Sequence, residues 1–481
     1  MQQLSGLDAA FLAMETPSVF GHVGSLCCID PSTATHPFDI AYLTELIQSR
    51  IHLIPPFRRR LVEVPLGLDQ PYWIEDPDFD IEYHVRALAL PAPGDGHQLA
   101  DQVARLHARP LDRRRPLWEL YLLEGLQGAR LGIYTKVHHA AIDGVSGNDI
   151  LAALLDLDPD GRLMETPPPW CGENAPGPLE MLTRSAVSLA QNPVRAARIS
   201  YGLARSLPRL AASPVRPRLP FVDRLLGRDA RVTLAGPRLR APTTPFNRSI
   251  TAHRRWSFVS LPLDQVKAIK SRAGCTVNDV VMALCAGALR RWLLDHEALP
   301  EESLVAAVPV SVRTDEQKGG YGNRVSMMFA ALPTQLALAE DRLAAVADAM
   351  SVAKERHGAL PAALLADVTQ FAMPALAGQA NRLSARLKLL ERLSPFNLII
   401  SNVPGPNVPL YFGGGRLLSY YPLSALTDGQ GLNITVMSYG GQLHFGSIAC
   451  RELVPDIENL SCYLRQELEL LVATVLDPVG A

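Results

Sequence analysis

Residues 129–157 read ARLGIYTKVHHAAIDGVSGNDILAALLDL, and two periodicities meet inside them. Up to the histidines the pattern alternates, with Leu131, Ile133, Thr135 and Val137 on one side and Tyr134, Lys136 and His138 on the other, as in a strand. Beyond them the apolar residues recur at helical spacing, and Ser146 with Asp149 forms an S-x-x-D helix start. The stretch therefore predicts a strand, a tight turn carrying His138 and His139, and a helix. In open α/β architectures sites collect where a strand's carboxyl end meets the next helix.

The same alternation extends outward on both sides. Upstream, DIAYLTELIQSRIHL puts Ile40, Leu43, Leu46 and Ile47 on one helix face, DIEYHVRALAL reads as a strand, and HQLADQVARLHARPL as a second helix. Downstream, RRWSFVSLPLDQVKAIK predicts a strand and a helix, and a long buried helix follows from Asn278 and Asp279. Three further apolar strands follow, and then a hairpin turning at Gly440 and Gly441. Both halves are mixed strand and helix, without a visible sequence repeat.

At 481 residues the chain exceeds one ordinary core, and with 48% hydrophobic and 20% charged residues it reads as globular. Proline and glycine crowd METPPPWCGENAPGPLE, so the expected division is residues 1–165, a linker over 166–245, and residues 246–481. No run reaches the roughly 18 uninterrupted apolar residues of a spanning helix, and the N-terminus carries no secretion signal. Seven scattered cysteines without C-x-x-C spacing fit a reducing cytoplasm.

The net charge of −2 hides an asymmetry. From Arg184 to Arg240 there are twelve Arg and no Lys against Asp223 and Asp229. Within this segment Arg198, Arg205 and Arg209 share one side of a helical wheel, and Ile199, Leu203, Leu207 and Leu210 another. Such a basic amphipathic helix suits either a solvated crossover or an anionic lipid surface, where each Arg is worth about 1 kcal/mol. Nucleic acid is not expected, because no aromatic residues or binding module accompany the charge.

The double histidine is a poor metal site. Adjacent residues at a strand end diverge, and no further Cys/His cluster supplies ligands, so no metal is expected. Nor is there a nucleophile: DGVSG lacks the G-x-S-x-G spacing, and no cysteine adjoins the histidines. A histidine acting as general base on an acceptor that brings its own hydroxyl, amine or thiol remains the simplest chemistry.

HHAAIDG resembles the H-H-x-x-x-D-G signature of the chloramphenicol acetyltransferase, carnitine acyltransferase and condensation-domain superfamily. LSGLDAAFLAME, PPFRRRLVEVP, RPLWELYLLEGL, NDVVMALCAGALRRWL, VPVSVR, GNRVS, NLIISNVPGP and VPDIENL resemble, in order, blocks of the bacterial wax ester synthase/diacylglycerol acyltransferase family. The resemblance spans about residues 4 to 470. It implies an α/β fold of two chloramphenicol-acetyltransferase-like domains, each a mixed sheet with flanking helices, forming a pseudo-dimer with an interface tunnel.

The resemblance further implies O-acyl transfer from long-chain acyl-CoA, a co-substrate, to diacylglycerol or a fatty alcohol, without a cofactor. His139 would be the general base, His138 and Asp143 its structural support, and Gly144 the turn into the helix. Asp143 would pair with Arg58 or Arg313. Pro116, Leu117 and Trp118 are candidates to line the acyl channel, although a Trp beside apolar residues more often fills the core, and Asn278 and Asp279 are candidates to support the site or simply to start a helix. Cys450 stands where an acidic residue is expected. The expected location is cytoplasmic, in peripheral contact with the inner membrane or lipid bodies. Two alternatives stand beside this reading: a donor on a carrier protein or a specialised polyketide or glycolipid alcohol, and a non-catalytic lipid-body protein that keeps the fold.

Overall fold

The computed structural model describes residues 1–142, 147–162, 170–185, 187, 241–311, 325–358 and 395–476. Its N-terminal part runs β1 (Gln2–Gln3), α1 (Gly6–Met14), β2 (His22–Asp30), α2 (Ile40–Arg50), β3 (Arg59–Val62), β4 (Tyr72–Glu75), α3 (Ile81–His84), β5 (Val85–Ala89), α4 (Gly96–His107), β6 (Trp118–Leu126), β7 (Arg130–His138) and α5 (Gly147–Leu154). The C-terminal part runs β8 (Arg254–Pro262), α6 (Leu263–Ala273), α7 (Val277–Asp295), β9 (Leu304–Ser311), β10 (Val325–Leu332), α8 (Ala339–Gly358), β11 (Leu398–Val403), β12 (Tyr411–Phe412), β13 (Gly415–Leu423), β14 (Leu432–Tyr439), β15 (Gln442–Cys450) and α9 (Glu458–Leu471).

Two six-stranded mixed sheets carry the fold, ordered β12-β13-β2-β7-β6-β5 and β10-β9-β11-β14-β15-β8. The first draws β12 and β13 from the C-terminal part, so the two halves are not divided in strict sequence order. Pairing of β13 with β2 runs antiparallel from Arg416 opposite Asp30 to Leu423 opposite Gly24. Close approach of the sheets depends on Gly446, because a Cβ there would stand 1.9 Å from the Pro422 carbonyl oxygen.

Each sheet buries its own core. Leu43 and Ile47 of α2 and Leu154 of α5 pack on Leu120, Ile133 and Val137 of the first sheet. In the second, α7 is buried almost continuously from Asp279 to Leu289, which is why its sequence shows little amphipathic contrast. A third cluster joins the halves, with Val103 and Tyr134 against Trp256, Tyr421 and Ile448.

Two expectations are corrected. DIEYHVRALAL is not one strand, since Asp80 accepts the Glu82 amide and caps the short turn α3 before β5 begins at Val85. The long helix starts at Val277 with Thr276 as its N-cap, ahead of Asn278 and Asp279: the Thr276 hydroxyl accepts the Asp279 amide, and Asp279 accepts the Thr276 amide at 2.8 Å. The basic segment, beyond residue 187, lies outside the described residues. Among the described residues no helix is long and apolar enough to cross a membrane.

One buried ion pair ties α2 to the segment following α5. Arg50 donates to Asp156 at 2.6 Å with both side chains at 3% exposure or less, and to the Leu154 carbonyl at 2.6 Å. Arg50→Ala leaves the buried Asp156 carboxylate with Arg162, 3.2 Å away, as its counter-charge, and is expected to cost about 3 kcal/mol, the low end for breaking a buried ion pair. Urea unfolding monitored by circular dichroism measures that loss.

Candidate active site

β7 ends at the double histidine because its ladder continues exactly as far as the chain stays extended: His138 lies opposite His22, and its amide bonds the Leu117 carbonyl at 2.9 Å. A short 3₁₀ turn, His139–Ala141, then reverses the chain. The His139 amide bonds the Gly21 carbonyl at 2.8 Å, which fastens this turn to the start of β2.

The two histidines have different surroundings. His138 is 1% exposed. Its Nδ1 accepts the Ala140 amide at 3.0 Å, so the proton sits on Nε2, which donates to Glu15 Oε1 at 3.2 Å. Both ring nitrogens are therefore engaged. His139 is partly exposed, and its ring stacks on Phe11 with centroids 4.1 Å apart and planes 18° apart.

Phe11 and Glu15 lie four residues apart on α1 and its C-cap, on one face. That single helix therefore supports both imidazoles. It is set by the Ser5 side chain, which accepts the Asp8 amide, and by Arg113, which donates to the Leu12 carbonyl and to Glu15 Oε2 at 2.7 Å. Gly21 completes the group: its amide donates to Glu15 Oε1 at 2.8 Å, and its missing Cβ leaves room for the His138 ring. Glu15, Phe11, Gly21 and Arg113 did not stand out in the sequence. The one signal was that AFLAME belongs to a block shared with the family, which names no role.

Burial alone would raise the Glu15 pKa, but the hydrogen bonds from His138, the Gly21 amide and Arg113 outweigh it and hold the carboxyl at about 2 against an ordinary 4.5. A depressed carboxyl contributes stability in full above its unfolded pKa and loses it as pH falls through its folded value. Glu15→Gln is therefore expected to destabilise the protein most near neutrality, with the gap to wild type closing between about pH 4.5 and about pH 2. Denaturant unfolding across that range checks the sign.

The other candidates separate. Asp143, Gly144 and Arg313 lie outside the described residues. Arg58 stands 3.6 Å from Glu75 and 6.0 Å from the Trp170 ring centroid. Leu117 and Trp118 are core residues at 0% and 1% exposure, and Pro116 is buried beside them. Trp118 donates to the Phe57 carbonyl and is stacked between Phe57 and His84. Asn278 accepts from Asn402 at 3.2 Å, joining the first turn of α7 to the end of β11. Asp279 serves the helix cap. Cys450 is fully buried, and Glu452, two residues on, holds His253 at 2.8 Å. Among the described residues no His, Cys, Asp or Glu cluster could hold a metal.

This arrangement supplies one oriented, partly exposed imidazole without a side-chain nucleophile beside it in sequence, which is the requirement of base-assisted transfer. Comparison with known proteins points the same way. Residues 4–281 match the wax ester synthase/diacylglycerol acyltransferase catalytic domain, and residues 321–472 the WS/DGAT C-terminal domain. A putative diacylglycerol O-acyltransferase of Mycobacterium tuberculosis is 39% identical over 100% of this chain and 92% of its own. The O-acyltransferase WSD of Acinetobacter baylyi is 32% identical over 99% and 98%. The solved wax ester synthase/diacylglycerol acyltransferase of Marinobacter aquaeolei superposes with a TM-score of 0.69 at 31% identity, covering 98% of this chain and 100% of that one. The first condensation domain of the calcium-dependent antibiotic synthetase shares the fold, with a TM-score of 0.57 at 17% identity.

Proposed function

This chain belongs to the wax ester synthase/diacylglycerol acyltransferase family, and from that membership we propose that it moves a long-chain acyl group from acyl-CoA to diacylglycerol or a fatty alcohol, with His139 as general base. It is an O-acyltransferase. The observation that supports the assignment to His139 is access: the His138 side chain is 1% exposed, whereas His139 is partly exposed, with its main chain bonded to Gly21 and its ring stacked on Phe11.

His139 takes the proton of the acceptor hydroxyl as its oxygen bonds to the thioester carbonyl carbon. The tetrahedral intermediate collapses by breaking the carbon–sulfur bond. The proton held on His139 then passes to the departing thiolate, so the imidazole ends neutral and no cofactor is consumed. Phe11 and the Gly21 carbonyl hold the base in place through the reaction, limiting the reorganisation the transition state requires.

Incubating the protein with palmitoyl-CoA and either diolein or hexadecanol is expected to yield triacylglycerol or wax ester with one free CoA per ester. Absence of CoA release with every alcohol offered overturns the proposal. Peripheral attachment to anionic lipid through the Arg-rich segment from Arg184 to Arg240 belongs to the same proposal. Flotation with anionic but not zwitterionic vesicles, weakened by salt, is its expected signature.

A further inference from the structure

The last carbonyls of a helix have no partner within it, and α4 closes at His107 without a left-handed glycine to satisfy them. Side chains of the first sheet do so instead. Lys136 of β7 is 0% exposed, and its three ammonium protons meet three acceptors: Glu119 Oε2 at 2.8 Å, the Leu106 carbonyl at 3.2 Å and the Arg109 carbonyl at 3.0 Å. The His107 carbonyl lies 2.7 Å from Nε2 of His22 on β2. A carbonyl only accepts, so His22 carries its proton on that nitrogen.

The two strands that grip α4 are those that carry the paired histidines. His22 lies opposite His138 in the β2–β7 ladder and follows Gly21, whose carbonyl holds the His139 amide. Lys136 precedes His138 by two residues and shares its face of the sheet. The chain that leaves this grip, residues 108–117, returns to His138 twice. Arg113 donates to Glu15 Oε2 at 2.7 Å while Glu15 Oε1 accepts from His138 Nε2 at 3.2 Å, and the Leu117 carbonyl accepts the His138 amide at 2.9 Å.

We propose that Lys136 and His22 are positioning residues for acyl transfer: by clamping the end of α4 to β7 and β2 they fix residues 108–117, which hold His138 and with it the turn that carries His139. The proposal rests on the acyl-transfer reading of His139. Stability alone is a weak reason for such a clamp, because a buried Lys–Glu pair loses about as much solvation as it gains in attraction, and apolar residues of the same volume often do as well. What the ammonium adds is direction. A methionine in its place fills the volume and grips neither carbonyl.

Two pairs of variants test the clamp. Glu119→Gln keeps Lys136 on the α4 carbonyls, whereas Lys136→Met with Glu119→Gln releases them and leaves no bare buried charge. From the single to the double variant, kcat per folded molecule with palmitoyl-CoA and hexadecanol is expected to fall about 10- to 100-fold, the scale of a displacement of up to about 1 Å. KM for palmitoyl-CoA is expected to stay within about twofold. His22→Leu loses rate in the same way, and His22→Gln recovers most of it, since a glutamine amide returns an N–H to the His107 carbonyl. A role in stability alone lowers the melting temperature and leaves kcat per folded molecule unchanged, and that result overturns the proposal.

Hydrogen exchange followed by mass spectrometry reads the clamp without turnover. The His138 and His139 amides, bonded to the Leu117 and Gly21 carbonyls, are expected to exchange faster in each disruptive variant than in its conservative partner, under conditions where circular dichroism shows all four folded. Faster exchange together with an inactive wild type overturns the acyl-transfer reading and keeps the clamp. Unchanged exchange and unchanged kcat in an active enzyme overturn the clamp and keep the acyl-transfer reading. Should one disruptive variant fail to fold, the other pair decides.

Discussion

His139→Ala is expected to lower kcat by roughly three orders of magnitude, the range lost when a general base is removed, while leaving the fold intact. The structural consequence is small because His139 is only partly buried and its main-chain bond to the Gly21 carbonyl survives the substitution. KM for palmitoyl-CoA should change far less than kcat, since the imidazole acts on a proton in the transition state and not on the alkyl chain. Single-turnover rates with hexadecanol, alongside circular dichroism of the same sample, provide the measurement. Near-normal ester formation by the folded variant would remove His139 from the mechanism.

Gly21→Ala is the second large effect, and it arises from a single methyl group. A Cβ at residue 21 would stand 2.4 Å from His138 Nε2 and 2.9 Å from Cε1, so the ring has to move. Movement is costly because the ring is buried and held at both ends, by the Ala140 amide and by Glu15. Overpacking of this kind costs about 1–3 kcal/mol, before the strained hydrogen bonds are counted. Because the Gly21 carbonyl also carries the His139 amide, the base shifts with its neighbour, and a displacement near 1 Å costs about 100-fold in rate. A double-mutant cycle gives the cleaner test. With His138 already replaced by Ala, Gly21→Ala should add little further loss; full additivity would show that the clash with His138 is not the cause.

Local pattern made much of the fold legible. Period-two alternation located β7, the helical spacing of Leu43 and Ile47 located α2, and adjacent glycines located the β14–β15 turn, where Gly440 and Gly441 adopt positive φ of 56° and 78°. Burial of Trp118 was a different matter. Burial statistics favour the core for a tryptophan beside apolar residues without naming its partners, which are the stacked rings of Phe57 and His84. The N-cap at Thr276 was missed for a related reason: Asn278 and Asp279 are both competent caps, and the choice depends on which hydroxyl reaches which amide.

The sequence by itself determined the alternating strand and helix architecture, the absence of a nucleophile adjoining the paired histidines, and, through the order of its blocks, the family. These depend on residue type and spacing, which survive projection onto one dimension. Only the tertiary structure decided that both ring nitrogens of His138 are bonded within the protein, that α1 supports both histidines through Phe11 and Glu15, and that β12 and β13 cross over to complete the first sheet. Glu15 lies 123 positions from His138 in the chain, and Leu423 of β13 pairs with Gly24 from the opposite end of the protein. Contacts over such separations form because burying the two faces of one sheet brings distant segments together, and no short-range pattern records which partner each will meet.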